Sequence, residues 1–385
     1  MASIEITGPK SSRAGRGGAR AGQAACLGLF MAAAGCGASS GGSTPPAETF
    51  GPPGTIYVSM YGDDNVTAFD QVTHAVLKKY AVGKGPAVLV ATPDGQKLYT
   101  ANWSDNSISA IDLATGAVKA IMLDGRPWAI AMSPDGKKVW AGLASNKLVA
   151  IDTASDAIAT TYDTSPNFPE SVVVSTDGSQ VYIDPASTTS ASALGPGQLE
   201  SVSATDGSVV KMPITVGETP AFLSVSTDGT RAYTLNFLAG TVSVVDTAGW
   251  QVISTVDTGS GSQPIISSST KDNLLIVTNF GTGNLMTVDF QTNEVVHTLA
   301  LDGRPVGVGG YNADGTVGYV CDFGHASLGV QETLALSLQF LQGDLTPFSN
   351  TGPGHLSMFN PATGEKIGTS MTVGKGPTSV LVITP

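Results

Sequence analysis

The chain carries 19 basic against 31 acidic residues in 385, a formal net charge of −12. A chain this acidic is a poor partner for nucleic acid and is not drawn directly to anionic lipid heads. It contains no run of 18 apolar residues, which excludes an ordinary membrane-spanning helix, so membrane contact is expected only through an attached lipid.

Residues 1–35 read as a secretory signal peptide. Lys10, Arg13, Arg16 and Arg20 precede the apolar stretch AACLGLFMAAAG at 24–35, which is too short to cross a bilayer. The stretch ends in AAGC, and small residues followed by Cys36 resemble the cleavage site of bacterial lipoproteins. That resemblance implies that Cys36 becomes an acylated N-terminus. Ala33 stands where the motif usually has Leu, so secretion without lipid remains the alternative. Removing the leader takes away those four basic residues and Glu5, leaving about −15. Residues 36–53 are rich in Gly, Ser and Pro without apolar periodicity and read as a flexible tether. The expected location is extracytoplasmic: lipid-anchored in the bacterial envelope, periplasmic or at the cell surface, and secreted if Cys36 is unmodified. With Cys26 in the leader and Cys36 acylated, Cys321 is left without a disulfide partner and reads as a small buried residue rather than a reactive thiol.

From residue 54 onward the chain is periodic. A proline closes a short loop at Pro86, Pro127, Pro169, Pro220, Pro264, Pro305 and Pro377, at intervals of 41, 42, 51, 44, 41 and 72 residues. The pentapeptide LDGRP at 123–127 returns at 301–305, four units later. Each unit holds four short apolar runs, as in WAIAM, KVWAGL, LVAID and AIATTY within 127–164, separated by turn residues in the manner of strands and hairpins. The first turn is written TPDG, SPDG, STDG, STDG, TKDN and NADG, where Asp bonds its own backbone and Gly or Asn takes a left-handed conformation. An Asp closes the third run at Asp70, Asp112, Asp152, Asp246 and Asp289 and is expected to serve the second turn. Repeats of about 40 residues with four strands predict an all-β, seven-bladed β-propeller over 54–385. The chain opens on a second strand (GTIYVSM, 54–60) and ends on a first strand (SVLVITP, 379–385), so pairing the two closes the ring and removes both sheet edges.

The second strands read YTANW (99–103), YTLNF (233–237), IVTNF (276–280) and YVCDF (319–323). With the G-x-P and PDG punctuation they resemble the YVTN family of seven-bladed propellers of bacteria and archaea. The resemblance implies an envelope or surface repeat protein. Related propellers include lactonases, dehydrogenase heavy chains and a streptogramin lyase, so the fold leaves the chemistry open.

Two features set one face apart. Loops between second and third strands share a face with the loops that lead into each proline, and both long insertions, at 184–198 and between Asp322 and His355, fall in the former class. That face is expected to meet a ligand or partner: a protein, a glycan or a small anionic molecule. Lys84, Arg126, Arg304 and Lys375 precede their prolines by one or two positions and could form a basic ring at the channel mouth or bond local carbonyls and carboxylates. Trp103, Phe237, Phe280 and Phe323 could line the same mouth or pack between blades. His74 and His297 read as surface residues of outer strands. His325 and His355 flank the last insertion and, with Asp322, are the candidates for acid-base chemistry. Their spacing is not that of a metal site, and no metal ligands are assigned. Signatures for haem attachment, a nucleophile elbow, a zinc helix and a phosphate loop are all absent, so the sequence names no cofactor. A binding or scaffolding module is the favoured reading, and a lactonase- or lyase-type enzyme acting on a small anionic substrate is the alternative.

Overall fold

The computed structural model describes residues 54–164, 169–185, 196–261, 263–269, 273–323 and 352–384. The leader, the tether and Cys36 lie outside them. So do most of both insertions, including His325 and the stretch 331–345, which fits strand and helix equally well by sequence.

The described residues form seven four-stranded antiparallel sheets. Blade 1 combines Thr55–Met60, Asn65–Asp70 and Val76–Ala81 with the last strand, Pro377–Ile383. Blades 2 to 7 follow in chain order, with inner strands Pro86–Ala91, Pro127–Met132, Pro169–Val174, Pro220–Val225, Pro264–Ser269 and Pro305–Tyr311. Each inner strand touches those of its two neighbours, and the last touches the first, which makes the arrangement a ring. Closure is as the sequence predicts: Thr55 pairs with Ile383 and Tyr57 with Leu381.

All seven prolines open inner strands. Proline has no N–H to contribute to a ladder and a fixed φ, so the first residue of a strand is where a sheet tolerates it. Opposite it stands the end of the second strand, as in Pro86↔Asn102, Pro220↔Asn236 and Pro305↔Asp322. One residue further on, the register slips in every blade. Pro86 faces Asn102 but Val88 faces Ala101, so Ala87 has no partner across the ladder. The same bulge isolates Trp128, Glu170, Ala221, Ile265, Val306 and Thr378. A bulge twists its strand locally and re-aims one side chain. Here Ala87, Trp128, Ala221, Ile265 and Val306 come from five different blades and still belong to one buried cluster, which is possible only if they converge on the ring axis. Smaller apolar clusters fill the wedges between adjacent blades, such as Tyr233, Val244, Leu275 and Val288 between blades 5 and 6.

The recurrent turns are built as their residues require. In the first turn of blade 2, Asp94 accepts from Thr92 Oγ1 and the Gln96 N–H at 2.6 and 3.0 Å, and Gly95 takes φ 67°. The Asp that closes the third strand in five of the blades accepts backbone N–H groups of the following turn, as Asp112 does from Thr115 (2.8 Å) and Asp152 from Ser155 (2.8 Å). These bonds to the charged form hold the carboxyls of Asp70, Asp112 and Asp152 below the usual range.

Candidate functional site

Second strands end on the face where the proline loops arrive, and a repeated tie joins the two. The residue after the second strand donates its N–H to the carbonyl of the residue before the proline: Tyr61 to Gly376, Trp103 to Gly85, Ala144 to Arg126, Phe237 to Thr219, Phe280 to Gln263 and Phe323 to Arg304, at 2.8 to 3.1 Å. This tie draws the aromatic positions inward. Trp103, Phe237, Phe280 and Phe323 are all buried in the axial cluster together with Tyr61 and Trp128. Trp103 also donates Nε1–H to the Trp128 carbonyl (3.0 Å), with the two rings 5.2 Å apart. These aromatics cement the axis rather than present themselves to solvent.

The four basic residues do not form a ring of equivalents. Lys84 and Lys375 are exposed, and their backbone N–H groups are pinned by Asp105 (2.7 Å) and Asp63 (2.8 Å). Arg126 lies half-buried over the Trp128 ring, 5.8 Å from its centroid. Arg304 is buried and donates Nη1–H to the carbonyls of Phe280 (3.3 Å) and Gly281; desolvation lowers its pKa from the usual value. Within LDGRP the two aspartates are engaged elsewhere, Asp124 by Lys147 and Asp302 by Lys366 (2.6 Å) and Ser370.

Of the His/His/Asp set, Asp322 and His355 are described, and they meet. They are register partners on neighbouring strands of blade 7, with Nδ1 of His355 3.0 Å from Oδ1 of Asp322. The repeat explains the pair. In blade 2 the strand-end Asn102 donates Nδ2–H to Ser107 and Ser109 at 2.9 and 3.0 Å; in blade 5 Asn236 does the same to Thr241 and Ser243, and in blade 6 Asn279 donates to Asn284. Asp322 replaces that donor with an acceptor, and His355, at the position of Ser107 and Thr241, supplies the proton. An ionised carboxylate on Nδ1 leaves Nε2 of a neutral imidazole as an acceptor. Asp322 is buried while His355 remains partly exposed, so the pair has one anchored and one accessible end.

Sequence reasoning missed Glu170 and Asp184 of blade 4. Glu170 is the bulge residue of its blade and the charged member of the seven. Asp184 faces Ser171, one residue on, and accepts its N–H at 2.5 Å. Burial raises the Glu170 pKa to about 8, and burial together with the Glu170 charge raises Asp184 well above the usual range. The signal was available: aligning the residue after each proline gives Ala87, Trp128, Glu170, Ala221, Ile265, Val306 and Thr378. Cys321 is buried and free, and burial drives its thiol pKa upward. Among the described residues no group of three or more His, Cys, Asp or Glu gathers as a metal site.

The opposite face has a groove of about 400 Å³ between blades 2 and 3, walled by Asp94, Lys97, Asp135 and Thr153. Its charges are spent internally: Asp94 and Asp135 hold their own turns, and Lys97 pairs with Asp156 at 2.8 Å. It reads as scaffold.

These features define a seven-bladed β-propeller with irregular ionisable groups in blades 4 and 7. No protein-family model matches the chain, and no curated protein matches it. Among solved structures it resembles the periplasmic gluconolactonase PpgL of Pseudomonas aeruginosa (17% identity, TM-score 0.63, covering 86% of this chain and 99% of that one). It also resembles dihydro-heme d1 dehydrogenase NirN in complex with DHE (17%, TM-score 0.58, 88% and 77%) and a functionally unknown protein from Desulfotomaculum acetoxidans DSM 771 (12%, TM-score 0.64, 86% and 99%). At these identities the likeness concerns the fold alone.

Proposed function

We propose that the chain is a YVTN-type propeller of the bacterial cell envelope, lipid-anchored through Cys36, that acts as a binding or scaffolding module through the face bearing its two insertions. One observation carries this reading. The insertions join the second and third strands of blades 4 and 7, and these same two blades replace repeat residues with Glu170 and Asp184 in one case and Asp322 and His355 in the other. Three places apart in a ring of seven, they stand nearly opposite one another across the axis. Changes of loop and of buried charge that coincide twice on one face are what a ligand-facing surface requires. Lys84 and Lys375, exposed on neighbouring loops of that face, suit an anionic group of the partner.

The test is a thermal-shift screen of the full chain against sugar acids, lactones and quinones, repeated on a chain in which 186–195 and 324–351 are replaced by short Gly-Ser turns. A ligand at 100 times its dissociation constant adds about 2.7 kcal/mol, a shift of a few degrees for a domain of this size. A shift lost on shortening the loops supports the reading, whereas an equal shift in both proteins places the site elsewhere. The Asp322–His355 pair favours a second reading, a lactonase- or lyase-type enzyme for a small anionic substrate. Lactone hydrolysis abolished in His355→Gln would establish it.

A further inference from the structure

Blade 4 holds two acids beside the axis with no basic partner among the described residues. Glu170 is 8% exposed and Asp184 fully buried. Neither is paired with Lys, Arg or His among the described residues. Asp184 uses Oδ1 on the Ser171 N–H, while its Oδ2, also buried, has no hydrogen-bond partner. Asp184 feels the Glu170 charge, and no hydrogen bond between the two accompanies that coupling. Two carboxylates sharing a proton would close to hydrogen-bond distance; these stand apart, with one oxygen aimed at no donor.

The setting is rigid. Glu170 is fixed by the bulge after Pro169, and Asp184 by the ladder and by its bond to Ser171. Ser171 Oγ in turn accepts the Leu223 N–H at 2.8 Å, locking blade 4 to blade 5. The bulge residues of the flanking blades are Trp128 and Ala221, which bring no charge. An oxygen-only, preformed position of this kind, anionic once its carboxyls give up their protons to a bound ion, suits a hard cation and disfavours a thiophilic one.

We propose that Glu170 and Asp184 are the protein carboxylate ligands of a hard divalent cation of the calcium type, seated beside the ring axis on the insertion face of blade 4. Two carboxylates neutralise its charge, and backbone carbonyls and water fill the rest of the shell that such ions accept. The cation would fix blade 4 at the root of its insertion, on the face assigned above to binding. The site stands on the geometry of this blade and holds whichever partner that face takes.

The test is calorimetric titration of the chelator-treated full chain with calcium and with magnesium, alongside Glu170→Gln, Asp184→Asn and the control Asp206→Asn, which likewise turns one carboxyl into an amide but on the exposed surface. The wild type is expected to bind one calcium with a dissociation constant on the order of 0.1–1 mM, as extracellular modules do. Glu170→Gln and Asp184→Asn should each weaken binding at least tenfold, and Asp206→Asn should leave it unchanged. Because Glu170→Gln keeps shape and removes only a carboxylate ligand, loss of binding in a folded variant is interpretable. Absence of a saturable site in the wild type up to 10 mM (roughly ten times the weaker expected constant) would overturn the proposal. Equal weakening by Asp206→Asn would do the same, since it would mean that calcium merely screens the acidic surface.

Discussion

At the scale of single residues, Glu170 is the side chain whose environment departs furthest from its repeat. Its pKa is raised in the folded protein, so the native state holds a proton that the unfolded chain releases near 4.5. The stability linked to that proton is complete below about pH 4.5 and is lost as the pH climbs through about 8. In chelator, the urea midpoint of the wild type should therefore fall between pH 5 and 8 by the equivalent of about 3–5 kcal/mol, and Glu170→Gln should flatten that slope. A slope of equal size in the variant would locate the titration elsewhere. Cys321 permits a simpler check. Its thiol is buried and its pKa raised, so a thiol reagent at pH 8 should label it only at the rate of unfolding. Labelling in seconds under native conditions would show an open strand end. The sequence did not point to Glu170 because the glutamate itself is ordinary; only its place one residue beyond a proline, in a bulge that register reveals, makes it axial.

At the scale of the element, the unit of construction is an inner strand that starts at proline, bulges once and faces the end of the second strand. Trp128 is the largest of the bulge residues and is packed against Trp103, so Trp128→Ala should cost about 3–5 kcal/mol in chemical denaturation. A loss under 1 kcal/mol would mean that the axis tolerates a void. The Asp322–His355 pair invites a cycle. His355→Ala removes the His donor from a buried acid and should destabilise by about 1–3 kcal/mol. Asp322→Asn with His355→Ser rebuilds the Asn102–Ser107 pair of blade 2 and should recover most of that loss. Failure to recover would show that the pair is more than a reversed copy of the repeat. Much of this level was legible: the seven prolines, the PDG turns and the capping aspartates recur in writing, and each sits where its turn chemistry places it. The fate of the basic loops was not legible, because GKGP and LDGRP look alike on paper. Gly85 and Gly376 take positive φ before their prolines, whereas Arg126 and Arg304 occupy the same slot and turn toward Trp128 and the carbonyls of blade 6.

At the scale of the whole molecule, the ring is closed by non-covalent pairing of its two ends. Ser59 Oγ and Thr378 Oγ1 lie 2.9 Å apart although 319 residues separate them in the chain. Ending the chain at Gly376 should abolish two-state unfolding and promote association, because Thr55–Met60, buried along its whole length, would become an open edge. A truncated chain that stays monomeric with a single sharp transition would show that six and three-quarter blades suffice. Closure also sets a timetable. A chain that leaves the ribosome, or crosses a membrane, N-terminus first produces strand 55–60 hundreds of residues before the strand that will cover it. Through that interval blade 1 waits one strand short, with its fully buried strand Thr55–Met60 uncovered along one edge, and each later blade can only stack on its predecessor. Formation of the longest-range contact in the molecule is therefore the final event, and the speed of the last few strands, more than the stability of any blade, governs how long the unfinished ring is at risk of pairing with another.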